Sequence, residues 1–214
     1  MEVDVRDIVD KIPKMSDVNH DGLYRRAEAQ GGYFTAQEAI EAGMDRSTLS
    51  HHARPGGRYE RIRPGLFRMR HFPSSPFEHV MAAWLPLRAA KAVVSHESAL
   101  ELHELSDLIP VAVHFTVPRA ERGVRRRQGV QLHTTSRPAG ATEVQIIAGL
   151  PVTNTERSVV DALEAGAQPE QIELAVSQAL RRGLTTPKRM LEAASTRSER
   201  VHRFIERSLG AAKA

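Results

Sequence analysis

Arginine is concentrated in one short stretch of the chain. Residues 46–75 contain seven arginines and a single acidic residue, Glu60, whereas residues 1–45 contain ten acidic and five basic residues. Guanidinium groups donate paired hydrogen bonds to phosphate oxygens and to guanine edges. Concentrated like charge is unfavourable unless a polyanion or a well-solvated surface accommodates it. The pattern therefore favours phosphate or base recognition in this stretch.

Two further basic segments lie later in the chain. Residues 119–137 hold six arginines against Glu121 alone. Three of them are consecutive and could contact phosphate or an acidic partner, or could simply form a solvated loop between two strands: Arg125, Arg126 and Arg127. Near the C-terminus four arginines at helical spacing are candidates for contact with an acidic protein surface: Arg197, Arg200, Arg203 and Arg207.

Residues that could catalyse a reaction do not form a recognisable pattern. His96-Glu97 is followed by His103 seven residues later, whereas a zinc-binding helix spaces its histidines by four, and the chain has no cysteine. A nuclease pattern is incomplete, since Glu143-Val144-Gln145 lacks the accompanying acidic residues and no lysine occupies the expected position. The sequence therefore predicts no catalytic residues, no metal and no cofactor, and the protein is expected not to be an enzyme.

The elements that would position the first arginine-rich stretch are three short helices and a hairpin. Thr35 precedes a helix with Glu38 at the capping-box position, and Asp45 caps the next helix. The predicted elements are helices at 21–30, 36–42 and 46–53 and strands at 59–62 and 66–69. The first helix is expected to bury Leu23, Tyr24 and Ala27. This order is typical of a winged helix-turn-helix.

A recognition helix presents polar side chains to base edges while its opposite face packs into the domain. Leu49 and Ala53 can point inward from the third helix, and the hairpin that follows is suited to phosphate or minor-groove contact. The candidate DNA-binding residues share these two elements: Arg46, Ser47, Thr48, Ser50, His51, Arg54, Arg58, Arg61, Arg63 and Arg68. A solvated basic face, or a winged helix that binds protein, would produce similar patterns.

The remainder of the chain predicts a mixed α/β domain with a small sheet and a helical C-terminus, so the fold class is α+β. Strands are predicted at 111–117, 130–134 and 144–147. Helices are predicted at 77–90, with an interruption or end near Pro86, at 96–103 and at 156–165, and a later one begins at Pro187 behind Thr186. Arg157 and Asp161 lie one helical turn apart, which favours a structural ion pair, while Thr153 and Thr155 are placed to satisfy free amides. The predicted boundaries are an N-terminal extension at 1–18 that contains a short helix, a winged helix at 19–72 and the second domain at 76–214, with the linker at 71–75.

Three ordered motifs resemble the AbiEi-type antitoxins. The segment GGYFTAQEAIEAGMDRSTLSHHARPGGRYERIRPGLFRM, at 31–69, is similar to that family's N-terminal winged helix. VSHESALELHELSDLIPVAVHFTVPR at 94–119 resembles its Ser-His-x-Ser-Ala-Leu helix and following strand. GLPVTNTERSVVDAL at 149–163 resembles its Thr-x-x-x-Arg-x-x-x-Asp helix. The match spans roughly residues 19–165; the first eighteen residues depart from the family pattern, and the last forty match only in helical character.

The resemblance implies an antitoxin that neutralises a nucleotidyltransferase-like toxin and represses its own operon by binding promoter repeats. The partners expected from it are double-stranded DNA and the cognate toxin; a stand-alone transcriptional regulator without a toxin is the alternative. The N-terminal residues do not form a signal peptide pattern, and no apolar run approaches the roughly 20 residues that span a bilayer. We therefore expect a cytoplasmic protein with no membrane partner.

Overall fold

The computed structural model describes residues 18–105, 107, 110–125 and 127–211. Its internal contacts divide the chain between Ser75 and Pro76, at the end of the predicted linker. Both units combine helices with a sheet, so the fold is mixed α+β. The short helix predicted before Pro13 lies outside the described residues. Among the described helices, none has the length and apolar character needed to cross a membrane.

The N-terminal unit alternates short helices with a small antiparallel sheet. Its elements are α1 His20–Glu28, β1 Tyr33–Thr35, α2 Ala36–Glu41, α3 Arg46–His52, β2 Tyr59–Arg63 and β3 Leu66–Met69. The strand order is β1-β3-β2, and β3 pairs antiparallel with both neighbours. The three predicted helices and both hairpin strands are present. Strand β1 was not predicted, because three residues are too few to show an alternating pattern.

Side-chain caps fix where the helices of this unit begin. The Thr35 side chain accepts a hydrogen bond from the Glu38 amide, and the Glu38 carboxylate accepts one from the Thr35 amide, which forms the predicted capping box. Asp45 accepts a hydrogen bond from the Thr48 amide at 2.7 Å. The predicted burial of Tyr24 is wrong: its side chain is 49% exposed, while Leu23 and Ala27 are buried.

Two glycines fix the path of the chain from the end of α3 through the turn of the hairpin. A Cβ added at Gly57 would lie 2.1 Å from the carbonyl oxygen of His52, so only glycine permits this close approach. Gly65, between the two strands, has φ +77°, a conformation that L side chains rarely adopt. The end of α3 is therefore held close to the first strand of the hairpin.

The second unit contains a five-stranded sheet and a set of amphipathic helices. Its elements are α4 Glu78–Trp84, β4 Val93–Val94, α5 His96–Leu102, β5 Val113–Pro118, β6 Val130–Thr135, β7 Val144–Ile147, β8 Leu150–Thr153, α6 Thr155–Glu164, α7 Pro169–Arg181, α8 Pro187–Ser195 and α9 Glu199–Ala211. Short 3-10 segments lie at Leu85–Ala90, Arg119–Glu121 and Ala141–Glu143. The α-helix predicted from residue 77 ends at Trp84 and a 3-10 segment follows it, which confirms the interruption expected near Pro86. Pro86 lacks an amide donor for the α-helical ladder.

The sheet has mixed topology, with the order β6-β5-β4-β8-β7. Strands β5 and β6 are parallel, as are β4 and β8, and the remaining two pairings are antiparallel. The sequence did not predict β4, which has two residues, or β8, which contains Pro151. Strand β5 begins two residues later than predicted, because Val111 is fully exposed.

Helix α6 lies at the centre of the second unit. Every residue from Thr155 to Leu163 is buried, and its apolar side chains pack with those of α7, α8 and α9 in one cluster. Its N-cap is Asn154, which accepts a hydrogen bond from the Arg157 amide at 3.0 Å, rather than the predicted Thr155. Thr153 instead lies 2.7 Å from Ser158, hydroxyl to hydroxyl. Helix α8 begins at Pro187 behind Thr186, as predicted.

Candidate nucleic-acid interface

Helix α3 presents one polar face to solvent. Leu49 is its buried residue, and Ala53 at the C-cap, one turn further, is half-buried. This spacing directs the apolar side chains into the core and leaves the rest outside. Four of the predicted contact residues are exposed on this helix: Arg46, Ser47, Ser50 and His51.

Asp45 organises the first turn of α3. Its carboxylate accepts hydrogen bonds from the Thr48 amide at 2.7 Å and from the Ser47 hydroxyl at 2.8 Å. The backbone hydrogen bond from Thr48, followed by the one from Ser47, lowers the pKa of Asp45. The Ser47 hydroxyl therefore donates within the chain, although its oxygen can still accept a further hydrogen bond. Arg46 is exposed in the same turn.

The arginines after α3 fall into two groups. Arg54 and Arg58 are exposed, and so is Arg61, whose guanidinium lies 5.4 Å from the centre of the Phe67 ring. Arg63 is half-buried where the register of β2 against β3 shifts. The exposed guanidinium groups of Arg54 and Arg58 can reach an external phosphate, and that of Arg61 is exposed while it lies over the Phe67 ring.

Arg68 and Arg70 instead donate hydrogen bonds to backbone carbonyl oxygens of the same unit. Arg68 donates to the carbonyl oxygens of Phe72 and Pro73 at 2.8 and 3.3 Å. Arg70 donates to the carbonyl oxygen of Gly57 at 2.6 Å and to that of Tyr59 at 3.3 Å. The sequence included Arg68 among the candidate DNA contacts; its hydrogen bonds give it a structural role that the spacing did not indicate.

Aromatic side chains pack around the last residue of α3, His52. The His52 ring lies 5.6 Å from that of Tyr59 and 5.8 Å from that of His20, both edge to face. Burial, and then the charge of Arg58, lower the pKa of His52. His52 is therefore neutral near pH 7 and packs, whereas its neighbour His51 faces solvent.

The second basic segment is only partly described. Arg125 is exposed and Arg127 is half-buried, between the 3-10 segment Arg119–Glu121 and β6. Arg126 lies outside the described residues. The segment does connect two strands, as predicted, and a contact role for it stays a prediction.

The arginines of the C-terminal half make mostly internal contacts. Arg197 pairs with Asp161, and Arg200 donates to the carbonyl oxygen of Leu163 at 2.9 Å. Arg203 pairs with Glu199 one turn away at 2.7 Å, and Arg207 lies over the Phe204 ring. Arg197 is half-buried, whereas Arg200, Arg203 and Arg207 are exposed, so contact of this helix with an acidic protein surface stays a prediction.

Arg157 is the most enclosed of these cations. The predicted pair with Asp161 is present at 3.3 Å, and Arg157 also donates to the Glu143 carboxylate and to the carbonyl oxygen of Arg137, each at 2.8 Å. Its side chain is 3% exposed. The network joins α6 to the segment before β7, which is a structural function.

The two histidines at the ends of α5 have different surroundings from those considered in the sequence. His103 Nε2 lies 2.8 Å from the carbonyl oxygen of Thr153, away from His96. His96 instead lies with His114 of β5 and His133 of β6. The sequence did not show this group, because its members come from three separate segments that only the sheet brings together.

Comparisons with known proteins show a likeness at the level of fold. No protein family model matches the chain. No curated protein matches it either. Among solved structures, the RV2827C protein of Mycobacterium tuberculosis is similar, with a TM-score of 0.57 and 14% sequence identity. The match covers 89% of this chain and 75% of that one. At this identity the likeness concerns the fold alone.

Proposed function

We propose that the N-terminal unit is a winged helix-turn-helix that binds double-stranded DNA in a sequence-specific manner. Helix α3 is the recognition helix and the β2–β3 hairpin is the wing. The observation that carries the proposal is the solvent-facing side of α3, opposite buried Leu49, followed directly by exposed arginines. Helix-turn-helix proteins place such a surface in the major groove.

The exposed side chains suggest a division of roles. Arg46, in the first turn of α3, is suited to the O6 and N7 atoms of guanine, and Ser50 and His51 extend the same face. Arg54, Arg58 and Arg61 are suited to phosphate oxygens, which fix the register of the protein on the duplex. Arg68 has no role in this scheme, because its hydrogen bonds to the chain would have to break first.

The biological role that we propose is that of an antitoxin that represses its own operon and neutralises a nucleotidyltransferase-like toxin. This part rests on the resemblance of the three motifs to AbiEi-type antitoxins, the last two of which lie in the second unit. The alternative is a stand-alone regulator, which would bind DNA through the same surface without a toxin partner.

DNA binding is tested by fluorescence anisotropy on the DNA upstream of the protein's own gene. Arg46→Ala should lose about 1–3 kcal/mol of binding free energy, and should discriminate less between that DNA and a scrambled duplex. Arg203→Ala, an exposed arginine on α9 paired with Glu199, is the matched control and should bind as the wild type does. Equal affinity of wild type for both duplexes, or an Arg46→Ala variant equal to wild type, would contradict the proposal.

The antitoxin role is tested separately by co-expression with the neighbouring gene. Rescue of growth arrest by the full chain supports the antitoxin, whereas absence of toxicity or of rescue favours the stand-alone regulator. The two results are independent, since a chain can bind DNA without neutralising anything.

A further inference from the structure

The two strands β5 and β6 bring three histidines together at one end of α5. Parallel pairing sets His133 opposite Thr116, and His114 lies two residues before Thr116, so both histidines share one face of the sheet. His96 is the first residue of α5 and stacks on His133, with ring centres 3.6 Å apart. One nitrogen from each residue lies within 4.8 Å of the others. We refer to these residues as the histidine trio.

We propose that the histidine trio binds a divalent transition metal of the zinc class through three imidazole nitrogens. Three neutral nitrogen donors suit zinc, nickel, copper and cobalt better than magnesium or calcium, which prefer oxygen. The proposal departs from the sequence-based expectation of no metal, which rested on the spacing of His96 and His103 and on the absence of cysteine.

The distances require little rearrangement. Tetrahedral zinc with Zn–N distances near 2.0 Å separates its nitrogens by roughly 3.3 Å. His114 Nδ1 and His133 Nε2 are already 3.2 Å apart. The stacked rings of His96 and His133 are nearly parallel, with 15° between their planes, so their lone pairs do not converge. A rotation of one ring is the movement that ligation needs.

Neighbouring groups orient the three rings. The other nitrogen of His114, Nε2, lies 3.6 Å from a Glu97 carboxylate oxygen, an arrangement that metal-bound histidines commonly have. His96 Nδ1 lies 2.8 Å from the Ser95 hydroxyl, which also accepts a hydrogen bond from Thr116. His96 has φ 56°, which a residue other than glycine holds only when its surroundings fix it.

The trio can also be reached from solvent. All three side chains line a pocket of about 490 Å³ whose other walls include Gln131 and Gln171. A metal can enter through this pocket, and its fourth ligand position would face it.

The wild-type test uses the full chain, without a histidine tag, after treatment with a chelator. Titration with Zn²⁺ should show one ion bound per chain. X-ray absorption of the zinc-loaded protein should show three imidazole nitrogens at about 2.0 Å. Absence of stoichiometric binding, or a coordination shell with fewer than three imidazoles, would overturn the proposal.

Substitutions in the histidine trio and at Glu97 test whether the ion binds there. His114→Ala and His133→Ala should each weaken Zn²⁺ binding by more than about 100-fold, and Glu97→Gln by about 10-fold. His202→Ala, a half-buried histidine on α9, is the matched control and should bind as the wild type does. Equal affinity in all four would show that the trio is a stacked, hydrogen-bonded group and not a site. If an alanine variant fails to fold, the X-ray absorption of the wild type decides the question alone.

Discussion

Two sets of arginines, one in each unit, have opposite surroundings. In the N-terminal unit, Arg46, Arg54, Arg58 and Arg61 extend into solvent from α3 and the segment after it. In the second unit, Arg157 is enclosed between two carboxylates and a carbonyl oxygen, and Arg197 and Arg200 bond to the end of α6. An arginine already paired in the fold contributes little to a ligand, because its existing contacts must be lost first. The difference shows that the density of arginine in a sequence does not by itself tell whether the fold leaves the side chains exposed.

The chain offers separate probes for the two units. Its single tryptophan, Trp84, is buried in the second unit, where it donates to the carbonyl oxygen of Ala92. Its three tyrosines, Tyr24, Tyr33 and Tyr59, all lie in the N-terminal unit. Tryptophan and tyrosine emission therefore report the unfolding of different units, which makes the comparison measurable.

The largest expected effect is that of Arg157→Ala. Removing this buried cation leaves the carboxylate of Asp161 enclosed with one fewer partner, which should reduce the free energy of unfolding of the second unit by about 3–5 kcal/mol. Urea titration followed by Trp84 emission measures it. Arg203→Ala removes an exposed pair and should change the value by less than about 0.5 kcal/mol. Similar changes in the free energy of unfolding for both variants would mean that the buried network does not stabilise the second unit more than an exposed ion pair does.

The second effect is specific to the N-terminal unit. Gly57→Ala places a Cβ against the carbonyl oxygen of His52 and should reduce stability by about 3 kcal/mol, as seen by tyrosine emission. Gly56→Ala is the matched control, because a Cβ at that position has no atom nearby. Its positive φ should still reduce the free energy of unfolding by about 1 kcal/mol. Trp84 emission should stay the same in both. A Gly57→Ala variant as stable as Gly56→Ala would show that α3 and the hairpin can separate freely.

The smallest effect is a dependence on pH in the second unit. Burial lowers the pKa of His103, whose Nε2 lies 2.8 Å from the carbonyl oxygen of Thr153. His103 therefore binds a proton more readily in the unfolded chain than in the folded one. The folded state keeps its full free energy of unfolding above about pH 6.5 and loses part of it as the pH falls below that value. His103→Gln should therefore lose less stability than wild type between pH 7 and pH 5.5. An equal loss would assign the acid sensitivity to other groups.

Local signals in the sequence predicted much of the fold. Capping residues such as Thr35, Asp45 and Thr186 act within one turn of the helix they begin, so the sequence reveals them directly. The inward face of α3 follows from Leu49 and the helical repeat. Short strands such as β1 and β4 could not be predicted, because their pairing depends on partners far along the chain.

The candidate sites were less predictable than the fold. The exposed face of α3 could be derived from the spacing of its residues, but the engagement of Arg68 with Phe72 and Pro73 depends on how the chain returns after β3. The histidine trio depends on the parallel register of β5 and β6. Both are consequences of contacts between segments, which the types and spacing of residues in one segment do not specify.

The most direct test of the proposed DNA surface is the salt dependence of binding to the protein's own upstream DNA. Three phosphate contacts, by Arg54, Arg58 and Arg61, should give a slope of log K against log salt of about −2.7 per bound chain. Arg58→Ala should reduce that slope by about 0.9, and Arg203→Ala should leave it unchanged. A slope near zero, or one that does not change in Arg58→Ala, would contradict the account.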